Sequence, residues 1–117
     1  MMERETTGQV YLSPGVTDMR KSIDGLAAIV SQVFELDPLS SSYFVFCGKR
    51  KNRLKILMWD YSGFWLYYRR LEKGHFNWPT HSGQPLKITR RQLNWLLDGL
   101  HIEQASSHRP VKASIVV

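Results

Sequence analysis

The chain predicts an α+β fold, an antiparallel β-meander of three to five strands with two helices packed on it. Three observations carry that expectation. Between Phe44 and Pro79 lie three apolar, β-branched or aromatic runs, Tyr43–Gly48, Leu54–Trp59 and Phe64–Tyr68. They are separated by the short turn clusters Gly48–Arg53 and Asp60–Gly63, the pattern of two successive hairpins. Ile23, Leu26, Ala27, Val30, Val33 and Phe34 recur at helical spacing and form one apolar stripe. Thr89, followed three residues later by Gln92, is a capping box ahead of a second stripe, Leu93, Leu96, Leu97 and Leu100.

Taken in order, residues 1–8 are polar and expected to be flexible. Gln9–Leu12 reads as a short strand, stopped by the turn signal Ser13-Pro14-Gly15. Thr17 or Asp18 can cap the helix expected over Arg20–Phe34. Gly25 inside that helix costs ~1 kcal/mol relative to alanine, which suggests close packing there, against the sheet. Asp37-Pro38 and Ser40–Ser42 form the loop into the meander. Glu72–Gln84 is rich in turns, Leu86–Ile88 is a short strand, and the second helix is expected over Arg90–Leu100 with Gly99 and His101 at its end. Residues 9–102 thus form a single domain, and 103–117 a C-terminal tail.

Strand alternation puts Phe44, Phe46, Phe64, Leu66 and Tyr68 on shared faces, with Trp65 and Tyr67 pointing the opposite way. Both faces of the sheet therefore carry bulk. If the two helices cover one face, the other needs a loop, the tail or a second subunit. A homodimer through the uncovered face follows as an expectation.

At 117 residues the chain is long enough for one domain with a real core, and its 43% hydrophobic content is that of a soluble globular protein. Cys47 is the single cysteine, so no internal disulfide forms, and a reducing cytoplasm fits. No apolar run reaches the length of a membrane span, and the start is not followed by an apolar signal segment. A pI near 9.7 points to a polyanionic partner, nucleic acid being the commonest.

The charge is concentrated. Lys49, Arg50, Lys51, Arg53, Lys55, Arg69, Arg70 and Lys73 face only Asp60 and Glu72 in their stretch, while the rest of the chain is balanced. In a meander the third strand runs back towards the first hairpin tip, so Arg69-Arg70 should join Lys49–Arg53. Strands of ~6 residues span ~20 Å, which leaves the Asp60–Ser62 end separate and nearly neutral. These eight cations are the candidate phosphate contacts. Trp65, Tyr67 and Trp78, with Tyr61, Tyr68 and Phe76, are candidates for stacking on unpaired bases or for an interface. The competing reading makes the hairpin tip merely solvated and the sheet aromatics core, and it is preferred for Phe44, Phe46, Trp59 and Phe64.

Catalysis has little support. Asp18, Asp24, Asp60 and Glu72 have no spacing that fixes a metal pair, and His75, His81, His101 and His108 form no zinc pattern. There is no glycine-rich phosphate loop and no nucleophile elbow. Neither a cofactor nor a metal is expected. Arg20-Lys21 at the start of the first helix opposes its positive dipole end. Pairing with Asp18 or Asp24 is the preferred explanation.

The motifs Thr17-Asp18-Met19-Arg20-Lys21-Ser22-Ile23-Asp24-Gly25-Leu26, Phe44-Val45-Phe46, Lys55-Ile56-Leu57-Met58-Trp59-Asp60, Tyr68-Arg69-Arg70-Leu71-Glu72-Lys73-Gly74 and Phe76-Asn77-Trp78-Pro79 occur in that order. Together they resemble the TnpB-type accessory proteins encoded by the second open reading frame of bacterial insertion sequences of the sixty-six family. The resemblance runs from about Val10 to Leu100. Ser22 stands where glycine is common and His75 where arginine is common. It implies a bacterial protein with a non-catalytic accessory role in DNA transposition, beside a larger transposase that carries out the strand chemistry. Arg20, Lys21, Asp24, Asp60, Arg69, Glu72, Lys73 and Trp78-Pro79 match family motif positions without an assigned role. The expected partners are DNA, the transposase and other transposition proteins of the element. The alternatives are an adaptor that docks the transposase without touching DNA, and a small nuclease resting on Asp60 or Glu72.

Overall fold

The computed structural model describes residues 8–80, 83–100 and 102. The N-terminal residues 1–7, His81, His101, His108 and the tail 103–117 lie outside the described residues. The elements are β1 (Val10–Leu12), α1 (Ile23–Ala28) continued by π-helical turns over Ile29–Val33, β2 (Tyr43–Cys47), β3 (Arg53–Trp59), β4 (Phe64–Arg70), β5 (Leu86–Ile88) and α2 (Arg90–Leu97). They form one five-stranded sheet in the order β4-β3-β2-β1-β5. The fold is α+β, and the meander β2-β3-β4 is antiparallel throughout.

One strand pair departs from the antiparallel expectation. β1 runs parallel to β2, with Val10 opposite Tyr43 and Leu12 opposite Val45. A parallel pair needs a crossover of a dozen residues or more, and the long connection carrying α1 supplies it. β5 then returns antiparallel on the outer side of β1.

The two helices do not share a face. Leu93, Leu96 and Leu97 of α2 bury against Leu54, Ile56 and Met58 of β3. Leu26 and Val30 bury against Phe44, Phe46 and Leu57 on the opposite side. The alternating side chains of β3 feed the two cores in turn, which is why both faces of the meander carry bulk. Each face thus carries one helix of the same chain, so neither is bare, although Trp65 and Tyr68 on the edge strand β4 stay exposed on opposite faces.

Local details correct the helix limits. α1 begins at Ile23, so Arg20 and Lys21 precede it, and neither Thr17 nor Asp18 caps it; Ser22 holds the cap position without a side-chain hydrogen bond. The π turns, marked by the bond from Phe34 N–H to the Ile29 carbonyl at 3.1 Å, add a residue per turn. The stripe is thereby rotated: Phe34 still packs on the core, but Val33 is exposed. Gly25 does not meet the sheet; a Cβ there would come within 3.3 Å of the Lys21 side chain. α2 carries the expected capping box and ends at Leu97, where Gly99 at φ 86° donates to the Leu96 carbonyl and Leu100 N–H to that of Trp95. Leu100 lies past this stop and is exposed rather than buried.

Candidate nucleic-acid interface

The topology gathers one end of the sheet from three segments. β2 runs towards Cys47 and its hairpin, and β1, being parallel, delivers the loop after Leu12 to the same end. β4 returns to it, with Arg70 opposite Arg53 and Arg69 opposite Leu54. Backbone bonds tie these segments together. Thr17 N–H donates to the Cys47 carbonyl at 2.8 Å, Leu71 N–H to that of Asn52 at 2.8 Å, and Phe76 N–H to that of Lys51 at 2.6 Å. The segment bearing Lys73 is thus anchored at both ends to the hairpin.

The expected joining of Lys49–Arg53 with Arg69-Arg70 is therefore present. Lys49, Arg50, Arg53, Arg69, Arg70 and Lys73 are exposed, and Lys51 is half-buried. Alternation splits the arginines, however. Arg70 shares the α1 side with Arg53, whereas Arg69 shares the α2 side with Leu54 and lines a cleft with Tyr67 and Leu97. The positive surface is an end cap that wraps both faces, not a single flat face.

Several cations near this end are partly engaged within the chain. Lys55 points to the α1 side, where its Nζ donates to the Lys21 carbonyl at 2.8 Å. Arg70 Nε pairs with Glu72 at 2.9 Å, both side chains being exposed. Arg20 chelates Asp18, with Nε and Nη2 donating to its carboxylate at 2.8 to 3.2 Å. Asp18 also accepts from Arg20 N–H at 2.9 Å. These bonds and the adjacent charge hold the Asp18 carboxyl well below the usual carboxylate range. The Arg20–Asp18 pairing matches the preferred sequence reading, although it sits in a turn before the helix.

Sequence reasoning missed that Arg20 and Lys21 belong to this same end. Both are exposed beside the hairpin that carries Lys49 and Arg50. The parallel pairing of β1 brings them there, and no local pattern announces it. Gly48 permits the approach, since a Cβ on it would fall 2.6 Å from Met19 Cγ. The resulting cleft, about 380 Å³, lies between residues 16–19 and the hairpin.

The aromatic candidates divide differently. Phe76 and Trp78 are core, with Trp78 Nε1 donating to the Ser13 carbonyl at 2.9 Å, so neither is available to stack on a base. Phe44 and Phe46 are buried as expected; Trp59 and Phe64 are half-buried and meet edge to face at 5.0 Å. Trp65 and Tyr67 stack on each other at 6.1 Å, and Trp65 Nε1 donates to Asp60 at 2.6 Å, towards the far end of β4. Tyr68 is the exposed ring on the face of Arg53 and Arg70.

Asp60 organises the second hairpin, accepting from Ser62 N–H and Oγ, Gly63 N–H and the Trp65 indole. It lies at the opposite end of β4 from Glu72, as expected, and the two cannot share a metal. Among the described residues no group of three or more His, Cys, Asp or Glu side chains could hold one. The far end is not bare of cations: α2 begins there, and Arg90 lies 4.7 Å over the Tyr43 ring. Glu35 and Asp37, both exposed, follow the π turns in the connection that leads to the start of β2. Asp24 is exposed in the first turn of α1.

A family model described as IS66 Orf2 like protein matches residues 8–107 of this chain. The chain belongs to the IS66 Orf2-like family. Two relatives come from Sinorhizobium fredii (strain NBRC 101917 / NGR234). Uncharacterized protein y4hO is 38% identical over 92 residues, 79% of this chain and 80% of the relative. Uncharacterized protein y4jC is 32% identical over 109 residues, 91% of this chain and 93% of the relative. No solved structure matches the chain significantly. This IS66 Orf2-like protein is accordingly a transposition-associated accessory protein. Among the described residues no helix is long and apolar enough to cross a membrane.

Proposed function

We propose that this protein serves transposition, in the bacterial cytoplasm and without catalysis of its own, by binding DNA phosphates through the basic end of its sheet. The observation that carries this is topological. Three separate segments place Arg20, Lys21, Lys49, Arg50, Lys51, Arg53, Arg69, Arg70 and Lys73 at one end, against Asp18, Asp24 and Glu72. Clustered lysines and arginines on phosphates displace condensed counterions, so affinity falls steeply with salt.

The test is a gel-shift salt titration on duplex from the termini of the insertion sequence. Lys49→Ala and Arg50→Ala should each flatten the log–log salt slope by about one. Binding that ignores both substitutions would overturn the proposal.

A second reading, docking of the transposase without DNA contact, draws on Tyr61 in the turn before β4 and Trp65 near its start, which are 77% and 42% exposed. It predicts co-purification with transposase that survives high salt and nuclease treatment and is lost on Trp65→Ala. A small nuclease would instead show metal-dependent cleavage lost on changing Asp60 or Glu72.

A further inference from the structure

The cleft at the basic end has a size, a floor and a rim of different chemistry. Its volume, about 380 Å³, is enough to admit a group the size of one base, and it is open to solvent on one side. Val16, Met19 and Gly48 give it apolar surface, while Lys49, Arg50 and Arg53 supply positive charge at the hairpin side. Asp18 also lines it, but Arg20 chelates both oxygens of its carboxylate, so that pair adds little net charge. The apolar surface decides which part of a nucleotide enters. A phosphate set against Val16 and Met19 would lose hydration without a partner, whereas the face of a neutral base packs there and leaves the phosphates to the cationic rim.

We infer that the cleft takes the base of one unpaired nucleotide, with its flanking phosphates on Lys49, Arg50 and Arg53. A paired base cannot enter, because it lies inside the stack. The inference rests on the DNA-binding reading and adds to it a substrate class: DNA with a single-stranded end or a displaced base. Arginine planes and apolar side chains receive unstacked bases without demanding a particular sequence. Gly48 is what keeps the cleft narrow, since Met19 packs where its side chain would be.

The experiment compares fluorescence anisotropy of two labelled DNAs at one salt concentration: a blunt duplex, and the same duplex with a three-nucleotide overhang. The overhang should bind about tenfold more tightly, a difference of roughly 1.4 kcal/mol. Val16→Met, at an exposed position lining the cleft, should extend an aliphatic chain into it with no ring for a base to stack on, and abolish that preference while leaving blunt-duplex affinity unchanged. Lys49→Ala should weaken both DNAs alike. Equal affinity for the two DNAs, or a preference that survives Val16→Met, overturns the inference and leaves phosphate binding intact. No binding to either DNA overturns both.

Discussion

Lys51 sits in the left-handed region at φ 62°, inside the hairpin where glycine would be at ease. An L-residue there costs roughly 1–2 kcal/mol, so the charge is kept at a conformational expense. Lys51→Gly should therefore leave thermal stability unchanged or raise it by up to about 1 kcal/mol, while lowering DNA affinity. A melting curve and an anisotropy titration on one preparation check this, and a loss of stability would contradict it. Asp18 makes a second residue-scale prediction. Its folded pKa is depressed, chiefly by its hydrogen bonds to Arg20, so the pairing is complete above the ordinary carboxylate value near 4 and is lost as pH falls through the depressed one. Carboxyl NMR should show that low midpoint in dilute buffer and its rise with salt, because the pair is exposed. An ordinary midpoint at low salt would refute the chelate. Cys47 differs from both: burial pushes its thiol up to about 11, so its place in β2 is a packing role.

Elements whose signals are local were legible in the sequence. The capping box at Thr89 and Gln92 is present with both reciprocal bonds, at 3.0 and 2.9 Å. Thr89→Ala should cost about 1 kcal/mol of stability by denaturant titration, and Gln92→Ala less. A neutral Thr89→Ala would mean that packing of α2 on β3 alone holds the helix. The meander was legible for a similar reason, since alternation and turn residues mark each strand where it lies. What stayed hidden depends on partners distant in the chain. Val33 fits a helical stripe by spacing, yet the π turns rotate it to the surface. Phe76 and Trp78 lie in a turn-rich stretch that suggests exposure, yet they fill the core between the hairpin and α2. Ring size marks such residues as core candidates, but not which contacts bury them.

At the scale of the whole molecule, the basic end was half legible. The meander alone predicts that Arg69-Arg70 return to Lys49–Arg53, and the register confirms it. It does not predict that Arg20 and Lys21 join them, because the parallel placement of β1 has no signature in three residues. Nor does it predict that the two helices take opposite faces, which leaves the exposed aromatics of β4, Trp65 and Tyr68, rather than a bare sheet, as the surface a dimer would use. Among the described residues, the charge asymmetry is then a property of the assembled sheet rather than of one hairpin. The most direct measurement is the slope of log affinity against log salt for DNA binding, in three proteins. Wild type should show a steep slope of several units, each phosphate contact contributing about 0.9. A variant with Lys49, Arg50 and Arg53 changed to alanine should lose about three of those units, whereas Lys87→Ala with Arg91→Ala, away from that end, should lose none. A slope that is shallow in wild type, or that falls equally in both variants, would contradict binding at the basic end.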